Sequence, residues 1–486
     1  MEREHHPATS GSADAELAAE RARIAELEAL VAEQAEQIAE LAEQNAELLR
    51  RLGEDSGNSN KPPSSDPPAN RAARRAKKKA GKDKKKRKRG GQPGHKGASR
   101  TLVPPEDVDE IEDLYPDECE NCWKLLPEVP DATPKRYQQI ELVLVRRHIT
   151  EWRRHEVTCP DCGHRTRAKY DGAVIPSSPF GPRLVAVVAL LTGSYHLSRR
   201  KTVDLLRELL GVVISLGSVS NIEARASAAM EAPVDEATEE ARRAAVKHTD
   251  GTSWYQAGVL KSLWTIATTA VTVFAILDDG KGETLKRLFG KRRGVLVSDR
   301  ATALKFWVMK WRQICWAHLL RKFISFSERD GPAGVVGKEL VDYVGVVFAN
   351  WYELKDGKIT RAEFQTRMAP VRKNFEAALE RAVGAKIRGV SGSCADMLDH
   401  REAFWTFVDK LGVEPTNNHA EQMLRAFVLW RKRSFGTQSE RGNLFATRVM
   451  TVVETARKQG KDVLDFLTDC CAAHLDGRDA PSLLAA

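Results

Sequence analysis

The chain has 486 residues, a formal net charge of +9, and ordinary hydrophobic and aromatic contents of 42% and 7%. This length predicts three or more folded units, because single hydrophobic cores stop growing near about 250–300 residues. The sequence lacks an unbroken apolar run of about 18 residues, so a membrane-spanning protein is excluded. Its first residues lack the basic and then apolar pattern of a secretory signal, and we therefore expect a cytoplasmic protein.

The first predicted element is a long amphipathic helix over residues 12–52. Apolar residues, several of them β-branched, recur every seven positions, and leucines follow three residues after some of them. This pattern is typical of a parallel two-stranded coiled coil, in which Asn45 would set the register. The alternative is a lone helix packed on its own chain, but the Ala- and Glu-rich outer face favours dimerisation. The seven-residue series comprises Leu17, Ile24, Val31, Ile38, Asn45 and Leu52.

Residues 53–100 first become rich in Gly, Ser, Pro and Asn and then strongly basic, which predicts a disordered linker. Between Arg71 and Arg100 stand fifteen Lys or Arg residues and one acid, Asp83. Positive charge concentrated in this way predicts electrostatic binding to nucleic acid. A merely solubilising segment is the alternative, because basic runs are common in proteins.

Two Cys-x-x-Cys pairs stand within residues 101–175. Each pair offers two sulfurs at a short turn, so the four thiolates predict a tetrahedral structural zinc site in a zinc-ribbon domain. Alternating apolar and polar residues between the pairs predict a β-hairpin. Buried thiols without a metal are the alternative. The four cysteines are Cys119, Cys122, Cys159 and Cys162.

Residues 176–240 show helical periodicity interrupted at Gly193, Gly211 and Gly217, with Ser218 as the predicted N-cap of the third helix. This order fits a helix-turn-helix whose last helix, over residues 218–225, would enter a DNA major groove. Plain packing of generic helices is an equal alternative.

Residues 241–325 change to the pattern strand, strand, strand, helix, strand. The first strand is predicted to end near Asp250 and the fourth at Asp299, and acids at neighbouring strand ends mark the cleft of a mixed α/β sheet. Residues 326–397 read as a helical insertion. Residues 398–460 contain a helix that carries Glu421 in its first turn, and residues 461–486 read as a C-terminal tail.

Several motifs, in this order, resemble those of the insertion sequence 66 family of bacterial transposases. They cover nearly the whole chain and are GNSNKPPSSD, GGQPGHKG, the two cysteine pairs, HTDGT, VSDRA, CWAHLLRKF and NNHAEQMLRAFVLWRKRSFGTQSERG. Two positions depart from the family pattern. Gly251 stands where a glutamate commonly follows the first Asp, and Gln422 stands after the Glu in place of an arginine. Neither change touches the Asp or Glu of the motifs.

The resemblance implies a DDE transposase with an RNase H-like catalytic core interrupted by the helical insertion. Its triad would be Asp250, Asp299 and Glu421, which would hold two Mg²⁺ (or Mn²⁺) ions beside the structural Zn²⁺. Its partners would be double-stranded DNA, as element ends and target, further copies of the chain, and accessory proteins of the element. A bacterial, nucleoid-associated location follows. A zinc-containing DNA-binding regulator without catalysis and a nuclease without strand transfer are the alternatives.

Overall fold

The computed structural model describes residues 10–59, 102–142, 147–169 and 178–484. Most of the predicted linker, including the whole basic run, lies outside these residues. Within them, no helix has both the length and the apolar character needed to cross a bilayer.

The described residues combine many helices with a five-stranded mixed sheet, so the predicted α/β class is confirmed. The strands are β1 (Glu156–Thr158), β2 (Arg165–Arg167), β3 (Val246–Gln256), β4 (Val259–Ala267), β5 (Thr272–Leu277), β6 (Val295–Ser298) and β7 (Arg312–Ile314). The helices are α1 (Ser10–Leu52), α2 (Pro182–Thr192), α3 (Arg199–Leu210), α4 (Leu216–Ala229), α5 (Glu231–Arg243), α6 (Gly282–Phe289), α7 (Trp316–Ser327), α8 (Gly331–Lys355), α9 (Arg361–Gly384), α10 (Ser391–Asp399), α11 (Thr406–Asp409), α12 (Asn418–Ser434), α13 (Glu440–Lys458) and α14 (Val463–Asp476). Short 3₁₀ turns occur at Pro105–Asp107, Thr302–Leu304, Met309–Trp311 and Arg401–Phe404.

The chain divides into two compact units. The first comprises Met1–Ala73, Pro176–Leu197 and Ser220–Ala486, and the second comprises Arg74–Ile175 and Ser198–Val219, in each case as far as these residues are described. The predicted helical region 176–240 is therefore shared between the two units instead of forming one domain.

The heptad pattern predicts a helix over residues 12–52, and α1 is one continuous helix of 43 residues. Its apolar a and d side chains remain exposed, for example Val31 at 63% and Ile38 at 67%. A single chain cannot bury such a seam, so the coiled coil and the dimer stay predictions.

The first residues of the predicted linker are ordered, which corrects that part of the expectation. Asp55 and Asn58 close a turn, in which the Asp55 Oδ1 accepts the Gly57 N–H at 2.6 Å and the Asn58 Oδ1 accepts the Asp55 N–H at 2.8 Å. The Asn58 amide also donates to the Glu328 carboxylate at 2.9 Å, just after α7. Side chains of Asp and Asn stabilise turns in this local way without a hydrophobic core.

In the second unit, β1 and β2 pair antiparallel around the second cysteine pair. The hairpin thus forms at Val157 and not at Ile140 or Leu142, which lie outside any strand. Helix α3 begins at the N-cap Ser198 and ends at Gly211, whose φ of +63° suits glycine. The Arg147 guanidinium donates to the Gly211 carbonyl oxygen at 2.6 Å within the same unit.

Helix α4 begins at Leu216 and not at the predicted cap Ser218, because the hydroxyl of Ser215 accepts the Ser218 N–H at 3.0 Å and starts the helix earlier. Gly217 consequently lies inside the helix. In the first unit, α2 packs against α14.

The first unit is built on a five-stranded sheet in the order β5-β4-β3-β6-β7. Strands β3, β4 and β5 pair antiparallel, and the pairs β3 with β6 and β6 with β7 are parallel. At the β5 edge the hydroxyls of Thr451 and Thr455 on α13 accept the Phe274 and Thr272 N–H groups, each at 3.1 Å. The helix therefore covers an edge that would otherwise be open to pairing with another chain.

The helical insertion shares one hydrophobic core with the sheet and does not fold as a separate lobe. Side chains from β6, β7 and α7 pack in the same buried cluster as those from α8, α9 and α10. Trp316 lies in this cluster and contacts the rings of Phe375 and Trp405, with centroid distances of 5.2 and 5.0 Å.

Residues 461–486, predicted as a tail, contain helix α14, which is a correction. Asp462 caps its first turn and Gly477 ends it with a φ of +65°. Its residues Phe466, Leu467 and Cys470 are buried because they recur on one helical face.

Candidate active site

Two of the three predicted acids lie on neighbouring parallel strands. Asp250 stands within β3, which continues to Gln256 instead of ending at the aspartate as predicted, and Asp299 directly follows β6. The pairs Val246 with Val295 and His248 with Val297 set the register of these strands. Continuing this register places Asp250 level with Asp299. Glu421 lies in the first turn of α12, which packs on β3 and β4.

The three carboxylates influence one another electrostatically. Burial, together with the negative charges of Asp299 and Glu421, raises the pKa of Asp250 from 3.8 to about 7. Burial likewise raises the pKa of Glu421, which Asp299 raises further while Arg321 lowers it. Acids whose charges act on one another in a partly dehydrated place are costly to ionise together unless a cation joins them.

Buried side chains hold the backbone at Asp299 in place. The carboxylate of Asp299 accepts the Ala301 N–H at 2.9 Å. The guanidinium of Arg312, which is fully buried, donates to the Asp299 carbonyl at 3.0 Å and to the Ser298 hydroxyl at 3.2 Å. Next along the chain, Arg300 donates to the carboxylate of Asp396 on α10 at 2.7 Å. Neither arginine can be recognised as a site residue from the sequence, because a buried arginine does not differ in sequence from a surface one.

Asn417 connects three elements of the site. Its side-chain amide donates to the Thr249 carbonyl at 2.8 Å, beside Asp250. Its N–H donates to the sulfur of Cys315 at 3.2 Å, and its carbonyl accepts the Glu421 N–H at 3.2 Å. The residue is fully buried, so it sets the position of the helix that carries Glu421 relative to β3.

We expect the substitution Asn417→Asp to destabilise the protein by about 1–3 kcal/mol. The new carboxylate oxygen faces the Thr249 carbonyl and adds a negative charge near three acids. Denaturant unfolding measures the loss. Asn418→Asp places the same charge on the exposed neighbouring residue and is expected to leave the stability unchanged. Equal stability of both variants would contradict the role of Asn417.

Two side chains of α7 face Glu421. The Oε1 of Glu421 lies 3.6 Å from the His318 Nδ1 and 3.7 Å from an Arg321 nitrogen. Burial, together with the charges of Arg321 and Arg300, lowers the pKa of His318 to about 3. His318 is therefore neutral near pH 7, and Arg321 carries the positive charge beside the glutamate.

The pairing of β4 with β3 explains why residue 251 is a glycine. A Cβ atom at this position would meet the Trp264 ring at 2.7–2.9 Å, and Trp264 is almost fully buried. The side chain of a glutamate therefore has no room here while the indole stays in place.

The raised pKa of Asp250 predicts how the stability of the metal-free protein depends on pH. The folded chain holds this proton more tightly than the unfolded chain, so the free energy of unfolding should fall as the pH rises from about 4 towards 7. Thermal unfolding in chelator across this range measures the fall. Asp250→Asn should weaken the dependence, and an unchanged slope in that variant would exclude Asp250 as its source.

Each predicted zinc-binding pair has its own ordered turn. The Cys119 N–H donates to the Lys124 carbonyl at 2.9 Å, and the Cys159 N–H donates to the His164 carbonyl at 2.8 Å. The pKa of the Cys119 thiol is lowered by the N–H groups of Asn121 and Cys122, and that of Cys159 by those of Cys162 and Asp161. In the described residues the four sulfurs do not gather into one group, so the four-cysteine site stays a prediction.

Two family models match parts of this chain. Residues 177–444 match the family described as Transposase IS66 family, and residues 14–101 match a family of unknown function, DUF6444. The uncharacterized protein y4qI of Sinorhizobium fredii is 27% identical over 180 residues, which are 35% of this chain and 32% of that protein. The chain thus spans about a third of the length of this relative. The first match covers more than half of the chain and confirms the predicted resemblance, so the chain belongs to the IS66 family of transposases.

Proposed function

We propose that the chain is a DDE-type transposase that cuts the ends of a mobile DNA element and joins them to target DNA. The observation that carries this proposal is the placement of Asp250, Asp299 and Glu421 on two adjacent parallel strands and one helix, where their charges act on one another. Family membership agrees with this activity.

The fold supports an RNase H-like core for this chemistry. The mixed sheet brings the first acid onto its central strand and the second onto the end of the neighbouring parallel strand. Helices α8 to α10 stand between the second aspartate and the glutamate, as an insertion would.

The residues present fit divalent cations such as Mg²⁺ or Mn²⁺. Hard cations prefer carboxylate oxygens, and the raised pKa values of Asp250 and Glu421 mean that burial, with neighbouring carboxylates, disfavours their charged forms, which a bound cation would stabilise. Asp250, Asp299 and Glu421 would hold the ions. When bound, such ions activate a nucleophile and offset charge on the phosphate.

The other residues near the acids position them or supply charge. Asn417 holds the helix of Glu421 against β3, and Arg312 holds the turn of Asp299. Arg321 and Arg300 bring positive charge to a site that must accept a phosphodiester. Hydrolysis at an element end frees a 3′-hydroxyl, which then attacks a phosphodiester of the target.

Other parts of the chain would bind DNA and join several copies of the chain into a protein–DNA complex. We assign dimerisation, or assembly into larger complexes, to the exposed seam of α1. DNA binding is assigned to the basic run of residues 71–100 and to the zinc-ribbon region with Cys119, Cys122, Cys159 and Cys162.

The test uses the full chain and a supercoiled plasmid carrying the DNA that flanks its gene, with Mg²⁺ or with chelator. Sequencing of the products should find element ends joined to new DNA, and only with Mg²⁺. Glu421→Gln should abolish joining. Cut products without joining would indicate a nuclease, and binding without cutting would indicate the zinc-containing regulator.

A further inference from the structure

Beside the acids lies a group of donor atoms of a different chemical kind. Cys315 immediately precedes α7, His318 lies in its first turn, and Glu421 lies in the first turn of α12. Their ligand atoms, one sulfur, one nitrogen and one oxygen, all lie within 4.8 Å of one another. In the described part of the chain, no other group of three or more such residues is assembled in this way.

Two of these atoms have no hydrogen-bond partner. The Nδ1 of His318 and the Oε1 of Glu421 are buried, face each other at 3.6 Å, and make no hydrogen bond among the described residues. Leaving such atoms unpaired costs about 1–3 kcal/mol each. The sulfur of Cys315 is also buried and accepts the Asn417 N–H at 3.2 Å.

We propose that Cys315, His318 and Glu421 form a binding site for a thiophilic divalent ion of the zinc class. Zinc takes sulfur at about 2.3 Å and nitrogen or oxygen at about 2.0–2.2 Å, so its tetrahedral ligands stand roughly 3.3–3.6 Å apart. The observed 3.6 Å between the histidine nitrogen and the glutamate oxygen is already close to this spacing.

The donor set distinguishes this ion from those held by the three acids. Sulfur and imidazole ligands select zinc, whereas Mg²⁺ prefers oxygen ligands alone. The fourth position is open to water or a substrate oxygen, since the side chain of Glu421 is 32% exposed. The site is also separate in sequence from the four-cysteine site predicted around Cys119 and Cys159.

The site has a regulatory consequence, which rests on the proposed function. Glu421 belongs to both groups, so an ion bound with Cys315 and His318 draws the carboxylate away from Asp250 and Asp299. Zinc should then inhibit DNA cleavage in the presence of Mg²⁺, and a chelator selective for zinc should restore it.

The first experiment counts bound ions on the full chain. Zinc content after dialysis, together with the thiolate-to-metal absorption of bound Co²⁺, should show one ion fewer per chain in Cys315→Ala than in the wild type. Cys471→Ala, which removes another buried thiol on α14, is the matched control and should bind as many ions as the wild type. His318→Ala is the second variant in case Cys315→Ala does not fold. Wild-type ion content in either folded variant overturns the proposal.

The second experiment measures inhibition relative to the zinc-free rate of each variant. Cys315→Ala should raise the zinc concentration for half-inhibition by roughly tenfold or more, and Cys471→Ala should leave it unchanged. Ion counting requires no DNA, so an inactive chain that binds the extra ion refutes only the proposed function. If the chain is active and neither Cys315→Ala nor His318→Ala lowers its ion count, only the proposed zinc site is refuted.

Discussion

Asp250→Asn is expected to reduce DNA cleavage by on the order of 10³-fold or more while the protein stays folded. The loss follows because a carboxylate that supports phosphoryl transfer supplies several kcal/mol, and about 1.4 kcal/mol corresponds to a factor of ten in rate. The substitution keeps the shape of the side chain and removes one of three carboxylate charges that act on one another. The thermal midpoint in chelator near pH 8 should therefore equal or exceed that of the wild type. Cleavage rates and thermal unfolding measure both effects.

The matched control for this prediction is Asp278→Asn. Asp278 also follows a strand of the same sheet, but it is 90% exposed and pairs with Lys261 at the surface. Surface ion pairs contribute about 0–1 kcal/mol, so this variant should cleave DNA as the wild type does. If Asp250→Asn retained wild-type cleavage, the acid would have no role in the chemistry and the proposed function would fail with it.

Trp316→Ala is expected to lower the free energy of unfolding of the first unit by about 3–5 kcal/mol. The indole is fully buried among rings from the insertion and donates to the Phe404 carbonyl at 2.8 Å. Removing it leaves a cavity between the sheet and helices α9 to α11. It also removes one of the two hydrogen bonds to the Phe404 carbonyl, which still accepts the Gln313 side-chain amide at 3.1 Å. Denaturant unfolding, followed by circular dichroism, measures the change.

A second tryptophan serves as the control. Trp311 is 40% exposed and stacks under the Lys410 ammonium at 3.6 Å, a contact that contributes roughly 0.5–1 kcal/mol. Trp311→Ala should therefore cost about 1 kcal/mol or less. A similarly small loss for Trp316→Ala would mean that the insertion and the sheet do not share one core.

Local patterns in the sequence were sufficient to predict several helices and strands. The heptads over residues 12–52 predict a helix, and α1 has that form. The β-branched runs before Asp299 predict three strands, a helix and a fourth strand, and the chain forms them in that order. These predictions depend on periodicity and turn residues, which act over a few neighbouring positions.

Other predictions failed where distant contacts decide the outcome. Strand β3 runs past Asp250 because Ser253 and Gln256 pair with β4, and the length of a strand depends on its partner. The predicted tail forms α14 because α2 offers a surface for its apolar face. Neither partner can be identified from the segment alone.

By itself, the sequence determined the class of the fold and the family, and it predicted three catalytic acids, because short motifs and their order record local chemistry. Tertiary structure alone decided how those acids are placed relative to one another. The level placement of Asp250 and Asp299 arises from the parallel register of β3 and β6, and Asn417 joins the helix of Glu421 to β3 across 168 residues of chain. The proximity of Cys315 and His318 to the same glutamate arises in the same way, since two helices that are far apart in sequence begin side by side. Such contacts depend on which surfaces pack together, and that is a property of the whole folded chain.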